Sequence, residues 1–125
     1  MSDRRQQWLR GALDLCILGT LQDQDRHGYA IAARIEEAVL DRIKGGTLYP
    51  VLARLQAAVH VTARWEPGQG GPGRKYYAPT DSGRDLLHEQ GRAWAAFAHT
   101  TLTLIDPGGS SCPTTARTWP SSSVP

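Results

Sequence analysis

Three glycines in the stretch EPGQGGPGRKYY have a spacing that can bind phosphate. Gly68, Gly70 and Gly73 form the pattern G-x-G-x-x-G, which holds the pyrophosphate of a dinucleotide when a strand precedes it and a helix follows it. The residues after Gly73 are Arg-Lys-Tyr-Tyr-Ala-Pro, whose paired tyrosines and following proline are typical of a strand. Because the motif lacks the helix N-terminus that a nucleotide requires, the glycines predict the tip of a hairpin.

Positive charge is concentrated in the same part of the chain, although the formal net charge of the whole sequence is only +2. One acid, Glu66, accompanies the cations of this region, which are Arg42, Lys44, Arg54, Arg64, Arg74 and Lys75. Such clustering indicates a surface that faces a polyanion. A solvated face with accidental clustering explains the charge alone equally well.

The sequence offers no catalytic or metal-binding set of residues. It contains neither G-x-S-x-G nor H-E-x-x-H, and His60, His88 and His99 lack the spacing that would form a metal site with a carboxylate. We therefore expect no enzyme activity, no metal and no cofactor. His27 is interpreted as a capping or packing residue. Cys16 lies in an apolar helical pattern, and we expect it in the core.

Hydrophobic periodicity predicts three helices in the first half of the 125 residues. The first helix covers Trp8–Leu21, and the second corresponds to YAIAARIEEAVL, residues 29–40. Thr47 is predicted to be the N-cap of the third helix, with Pro50 in its first turn. The apolar stripe of this third helix consists of Leu48, Val51, Leu52 and Leu55.

From Val61 the period changes to two, which predicts a half-buried strand followed by the glycine tip and a returning strand, RKYYA. We expect Pro79 to end the pairing. Thr80 is predicted to cap a fourth helix that runs to about Ile105. Its two apolar stripes exceed what one small core can cover, which favours a helix-mediated homodimer.

The C-terminal residues 106–125 are rich in Ser, Thr, Pro and Gly, and we expect a disordered tail there. No apolar run approaches the length needed to span a membrane, and the sequence indicates a cytoplasmic protein. Three helices followed by a hairpin is the order of a winged helix-turn-helix domain, whose third helix enters the major groove of DNA. We therefore predict a mostly α fold with a small β-hairpin: a DNA-binding domain over residues 1–80 and a dimerisation helix over 81–105.

Four segments together resemble the PadR family of bacterial transcriptional regulators over about Trp8–Ile105: LRGALDLCILGTL, HGYAIAARIEE, GGTLYPVLARLQ and GGPGRKYYAPTDSGRDLL. The resemblance implies a homodimeric winged helix-turn-helix repressor that binds a pseudo-palindromic operator in double-stranded DNA. It also implies relief of repression by a small, aromatic ligand. The residues that it places at the DNA are Tyr29, Thr47, Leu48, Tyr49, Pro50, Arg54, Arg74 and Lys75.

In the last helix the resemblance places Trp94 where small multidrug-sensing members have a tryptophan that faces its symmetry mate and stacks on flat ligands. Leu87, Phe97 and Ala98 share this ligand-binding or dimer interface. Packing within the domain is an alternative role for Tyr49. For Trp94 the alternative is packing in the core of the dimer interface.

The sequence departs from the family pattern at Val59, where a glycine normally ends the third helix. We expect that helix end to be strained or differently shaped. Pro79 replaces an aliphatic residue, and we expect it to shorten the second strand. An alternative function follows, a winged-helix dimer that senses a ligand or binds a protein and has weak affinity for DNA.

Overall fold

A computed structural model of the chain describes residues 2–39, 41–68, 70–106 and 108. The described residues form five helices and a three-stranded antiparallel sheet. The helices are α1 (Ser2–Arg10), α2 (Leu13–Thr20), α3 (Gly28–Val39), α4 (Gly45–Ala57) and α5 (Asp81–Ile105). The strands are β1 (Arg26–His27), β2 (Val61–Gly68) and β3 (Gly71–Pro79), in the order β1-β3-β2. The predicted fold class is confirmed, with one additional helix and one additional strand.

The predicted first helix is two helices, because the chain turns at Gly11 and Ala12. The amide of Gly11 donates to the carbonyl of Trp8 at 3.3 Å, and the amide of Ala12 donates to that of Leu9 at 2.9 Å. Both bonds span three residues, which is the tighter spacing of a 3₁₀ turn. Glycine favours such a break because it is a poor helix former. The apolar stripe continues across the turn, and Leu9 and Leu13 are both buried.

The helix α4 begins at Gly45 with Lys44 as its N-cap, three residues earlier than predicted, so the assignment of Thr47 as the N-cap is wrong. Lys44 has the extended N-cap conformation, and its carbonyl accepts the amides of both Thr47 and Leu48, at 2.9 and 3.0 Å. Pro50 consequently lies inside the helix, beyond the first turn. Its missing N–H leaves the carbonyl of Gly46 without the usual intrahelical donor.

The core lies between the helices α2, α3 and α4 and the inner face of the sheet. Its largest fully buried side chains include the predicted members of the α4 stripe, Leu48 and Leu52, together with residues of the other elements: Leu13, Ile17, Leu18, Leu21, Ile31 and Val61. Cys16 packs against this cluster and is partly buried. Burial, and secondly the charge of Asp14, raise the pKa of its thiol, which keeps the thiol protonated and unreactive at neutral pH.

The strands β2 and β3 form the predicted hairpin, which we call the wing. Gly68 pairs with Gly71 at its tip, and Gly70 has a φ of 70°, a conformation that glycine adopts without a steric penalty. The G-x-G-x-x-G pattern therefore belongs to a turn and its flanking strands, as predicted. Pro79 is the last residue of β3 and pairs with Val61, which confirms that the pairing ends at this proline; its shortening of the strand relative to the family stays a prediction.

The end of α4 carries the predicted strain. Val59 has a φ of 63°, in the left-handed region that β-branched residues disfavour. Its amide donates to the carbonyl of Gln56 at 3.0 Å, and the amide of His60 donates to that of Leu55 at 2.8 Å. These two bonds define a Schellman motif, which usually has glycine at the position of Val59.

The beginning of α5 is bonded to this helix end. The hydroxyls of Thr80 and Ser82 both donate to the carbonyl of Val59, at 2.7 and 3.0 Å. The Thr80 hydroxyl also accepts the amide of Gly83 at 3.0 Å, which confirms the predicted N-cap. A Cβ atom on Gly83 would overlap the carbonyl oxygen of His60, so only glycine allows this close approach.

The chain divides into two compact units, Met1–Leu87 and His88–Pro125. In the second unit, α5 continues to Ile105 and carries several exposed apolar side chains, which are Trp94, Phe97, Leu102, Leu104 and Ile105. The predicted tail over residues 106–125 lies outside the described residues except for Asp106 and Gly108. The domain boundary between residues 80 and 81 stays a prediction.

Candidate nucleic-acid interface

The first turn of α3 presents Tyr29 to solvent. His27 occupies the N-cap position, and its Nδ1 atom accepts the amide of Ala30 at 3.2 Å, in agreement with the capping interpretation. The ring of Tyr29, which is 77% exposed, stacks on the His27 imidazole with centroids 6.3 Å apart. Tyr29 is therefore oriented by a ring neighbour and remains free to contact a partner.

The start of α4 packs Tyr49 against the start of α3. The Tyr49 ring lies over the backbone of Gly28, where an added Cβ atom would be 2.6 Å from the Tyr49 hydroxyl. Tyr49 is nevertheless 50% exposed, so it packs with part of its surface and its contact with DNA stays a prediction. Pro50 and Arg54 are exposed on the same helix, and Thr47 is half-buried.

Leu48 differs from the other predicted contact residues. Its side chain is 2% exposed and belongs to the core, because it falls on the inward stripe of α4. It offers no side-chain contact to a partner, and its assignment as a DNA-contacting side chain is corrected.

The wing supplies Arg74 and Lys75, which point to opposite faces of β3. The register pairs Arg74 with Glu66 and Lys75 with Trp65, and paired residues share a face of the sheet. An Nη atom of Arg74 lies 2.9 Å from Nε2 of His27. The Lys75 ammonium lies 5.7 Å from the centroid of the Tyr77 ring, within the range of a cation–π contact.

These elements enclose an open cleft of about 500 Å³, between the beginnings of α3 and α4 and the middle of β3. Its lining includes His27, Tyr29, Tyr49, Trp65, Arg74 and Lys75. Four of these are among the predicted DNA-contacting residues, which the fold brings together from three separate segments of the chain. His27 and Trp65 were not predicted to belong to this surface.

Trp65 lies on the predicted face of its strand but is 70% exposed. The period-two pattern placed it with Val61 and Ala63, which are buried and half-buried. The wing extends beyond the core, so the face of β2 that is buried at Val61 is exposed to solvent at Trp65. No pattern in the local sequence indicates that Trp65 is exposed.

Arg64 belongs to the basic cluster of the sequence, but two acids neutralise its charge. Its guanidinium donates to Glu66 at 2.7 Å and to Asp25 at 2.6 Å, and these bonds, from Glu66 first, raise its pKa. It also lies 5.4 Å from the centroid of the Tyr76 ring. The cluster of Arg64 with its two acids has a net charge of −1, so the accessible positive charge of the wing comes from Arg74 and Lys75.

The predicted interface residues of the last helix have different environments. Trp94 and Phe97 are exposed, and Ala98 is half-buried. Leu87 packs against the core of the first unit, which gives it a structural role in the described chain. The interface role of these four residues stays a prediction.

Within the described part of the chain, no group of three His, Cys, Asp or Glu side chains is placed to hold a metal ion. None of the helices in the same residues has the length and apolar character needed to cross a membrane.

Comparison with known proteins identifies the family. Residues 17–89 match the model of the transcriptional regulator PadR-like family. Two relatives have uncharacterized functions. A Lysinibacillus sphaericus protein is 36% identical over 89 residues, which cover 70% of this chain and 82% of the length of that protein. A 37.1 kDa protein in a Streptomyces fradiae transposon is 37% identical over 84 residues, or 67% of this chain, but only 23% of its own length is matched.

Solved structures of PadR regulators have the same fold. A PadR family transcriptional regulator from Eggerthella lenta superposes with a TM-score of 0.74 at 28% identity, covering 84% of this chain and 91% of that one. A PadR-like transcriptional regulator from Bacillus cereus gives a TM-score of 0.70 at 29% identity, with 80% and 97% covered. The family match extends over the helices α3 and α4 and the whole wing, where the candidate interface lies. The chain therefore belongs to the PadR-like family of transcriptional regulators.

Proposed function

We propose that this protein is a cytoplasmic, homodimeric regulator that represses transcription by binding an operator in double-stranded DNA. The observation that carries the proposal is the open cleft whose lining includes two exposed tyrosines and two cations, from α3, α4 and β3. The residues proposed to contact DNA are Tyr29, Thr47, Tyr49, Pro50, Arg54, Arg74 and Lys75.

The geometry supports a division of roles between these elements. A major groove is about 12 Å wide and admits one α-helix, and the exposed side of α4, with Tyr49 and Arg54, is suited to enter it. Arg74 and Lys75 project from opposite faces of the wing, so together they can reach phosphates on either side of its edge. Contacts of this kind orient the protein on DNA, whereas base contacts from α4 give sequence preference.

The exposed apolar side chains of α5 support dimerisation. A two-fold symmetric dimer requires a two-fold symmetric operator, with half-sites about 10 base pairs apart or a multiple of that spacing. We therefore expect sequences selected from random duplex DNA to share an inverted repeat.

A mobility-shift assay on the DNA upstream of the protein's own gene tests this function. Retarded duplex that is displaced by specific competitor, and not by the same amount of random DNA, supports an operator-binding regulator. Failure of the wild-type protein to retard any selected or upstream duplex at low salt would remove the proposal.

Relief of repression by a flat aromatic ligand is the finer part of the proposal, and the exposed indole of Trp94 supports it. Stacking on that indole should quench its fluorescence. The quenching should disappear in Trp94→Ala, while Trp8, Trp65 and Trp119 are retained. Quenching that persists in the variant would place the ligand elsewhere.

The strained end of α4 at Val59 favours the second candidate function, a ligand-sensing or protein-binding dimer with weak affinity for DNA. The angle of the wing depends on this helix end, because β2 begins two residues after Val59. This candidate would be favoured by a dimer whose tryptophan fluorescence is specifically quenched by a ligand, but which does not retard the DNA upstream of its own gene.

A further inference from the structure

Both ring nitrogens of His27 face hydrogen-bond donors. Nδ1 lies 3.2 Å from the amide nitrogen of Ala30, and Nε2 lies 2.9 Å from an Nη atom of Arg74. A backbone amide and a guanidinium can only donate, and a neutral imidazole accepts at only one nitrogen. One of the two contacts therefore brings two N–H groups face to face.

The contact that is a true hydrogen bond is the helix cap. The amide of Ala30 belongs to the first turn of α3, has no acceptor inside the helix and is partly buried. The Arg74 guanidinium is exposed and can turn to water. Breaking the cap costs more, so Nδ1 accepts from Ala30 and the proton of the neutral ring is on Nε2.

The state of the ring is fixed by its neighbours. Burial, and secondly the charge of Arg74, lower the pKa of His27, which keeps the ring neutral near pH 7. The Tyr76 ring meets the imidazole edge-on, with centroids 5.3 Å apart, and Tyr29 stacks on it. The direction of the Nε2–H bond is therefore held by two aromatic contacts.

Arg74 is the charged group beside this donor. Glu66, its cross-strand neighbour, is bonded to Arg64 instead. Among the described residues no carboxylate forms an ion pair with Arg74, and its contact with His27 provides no acceptor. Two donors, one at the N-cap of α3 and one charged on β3, thus converge on the same exposed space.

We propose that His27 and Arg74 together bind one phosphate of the DNA backbone, with Nε2–H of His27 and the Arg74 guanidinium donating to its non-bridging oxygens. The proposal rests on the proposed function and assigns His27 a direct contact in addition to its cap. A phosphate resolves the donor–donor contact because it supplies acceptors and negative charge. It also fixes the wing relative to the start of α3 when DNA is bound.

Two substitutions separate the contact from the cap. His27→Asn keeps a side-chain oxygen that can cap Ala30 but lacks the imidazole donor, and His27→Asp keeps the cap while placing a carboxylate beside Arg74. On a short duplex, measured by fluorescence anisotropy, we expect His27→Asn to bind about tenfold more weakly, as for the loss of one hydrogen bond to a charged group. His27→Asp should bind still more weakly because its carboxylate takes Arg74 and repels the phosphate.

A double-mutant cycle tests whether one phosphate is shared. The effects of His27→Asn and Arg74→Ala should be less than additive, because either change disrupts the same contact. Unchanged affinity of a folded His27→Asn variant, in a wild-type background that binds DNA, would overturn the shared site and leave the proposed function standing.

NMR of the imidazole nitrogens tests the site without DNA. In the free wild-type protein we expect the proton on Nε2, and titration with inorganic phosphate should shift the Nε2 resonance, with a much smaller shift in Arg74→Ala. A proton on Nδ1 in the free protein, or an Nε2 resonance unmoved by phosphate, would overturn the inference. A wild-type protein that shows the phosphate shift but binds no duplex would contradict the proposed function instead.

Discussion

The hydroxyl oxygen of Tyr49 lies 2.6 Å from the position that a Cβ atom on Gly28 would occupy. The first residue of α3 thus contacts the side chain that α4 presents at the candidate interface. Because glycine is the one residue that leaves this space empty, the position of Tyr49 depends on residue 28 as well as on its own helix.

We expect Gly28→Ala to move Tyr49 and weaken DNA binding. The added methyl group meets the far end of one half-exposed side chain, which can swing away, so we expect a loss of stability of only about 1 kcal/mol, the low end for an overpacked site. Affinity for an operator duplex should fall by about tenfold if Tyr49 makes one good contact there. Fluorescence anisotropy and thermal unfolding measure the two effects.

The matched control is Gly19→Ala in α2, where an added Cβ atom meets nothing within 4 Å. This variant should bind DNA as the wild type does, and its stability should rise by about 0.5–1 kcal/mol from helix propensity. Equal affinities for Gly28→Ala and the wild type would argue against a role of Tyr49 at the DNA.

The left-handed conformation of Val59 predicts a stabilising substitution. Val59→Gly removes a steric cost of about 1–2 kcal/mol for a branched residue at positive φ, partly offset by the greater chain entropy of unfolded glycine. The bonds from Thr80 and Ser82 reach the carbonyl of residue 59 and do not depend on its side chain. We expect the free energy of unfolding to rise by about 1 kcal/mol in denaturant titrations.

Ala58→Gly is the control for Val59→Gly, because Ala58 is adjacent in the chain and has a φ of −83°. Glycine relieves no strain there, and the control should lower stability by up to about 1 kcal/mol. A loss of stability in both variants would show that residue 59 is not strained in solution.

The fold of the first unit was largely predictable from local patterns, but the assembly of the cleft was not. The i, i+3, i+4, i+7 stripe of α4 correctly placed Leu48 and Leu52 in the core, and the glycine tip correctly predicted a hairpin. The strand β1 was missed because two residues carry no periodicity. The start of α4 was placed too late because its first residues, Gly45 and Gly46, are poor helix formers.

The missing members of the cleft depend on contacts between distant parts of the sequence. His27 and Arg74 are 47 residues apart, and no local spacing relates them. Local spacing also fails to relate Arg64 to its partner Asp25, which is 39 residues away. Their ion pair removes Arg64 from the accessible basic surface. Counting charges along the chain predicted the region of the interface but not which of its cations are available.

The capping role of His27 predicts a pH dependence of stability. Its pKa in the folded protein is lowered from the ordinary value of 6.5, so below pH 6.5 the unfolded chain binds more protons than the folded one. Stability from the neutral ring is fully present above pH 6.5 and is lost as the pH falls through the folded value. The free energy of unfolding should therefore decrease as the pH is lowered from about 6.5 to 5, a range in which unperturbed carboxylates remain ionised.

His27→Asn provides the comparison for this pH effect, because asparagine can cap the helix and does not titrate. Chemical denaturation of both proteins across this range should show a weaker pH dependence in the variant. Parallel curves for the variant and the wild type would exclude His27 as the titrating cap.

The salt dependence of DNA affinity tests the central claim, that the cleft and wing bind the DNA backbone. For the wild type, log affinity for duplex DNA should fall linearly with log salt concentration, and replacing Arg74 and Lys75 with alanine should weaken binding to every sequence. The slope should flatten by about 0.9 for each phosphate that the double variant no longer neutralises. The control is Arg34→Ala, because Arg34 lines a separate cleft between α2 and α3. This substitution should leave the salt slope unchanged. A slope in the Arg74 and Lys75 double variant equal to that of the wild type would contradict the claim.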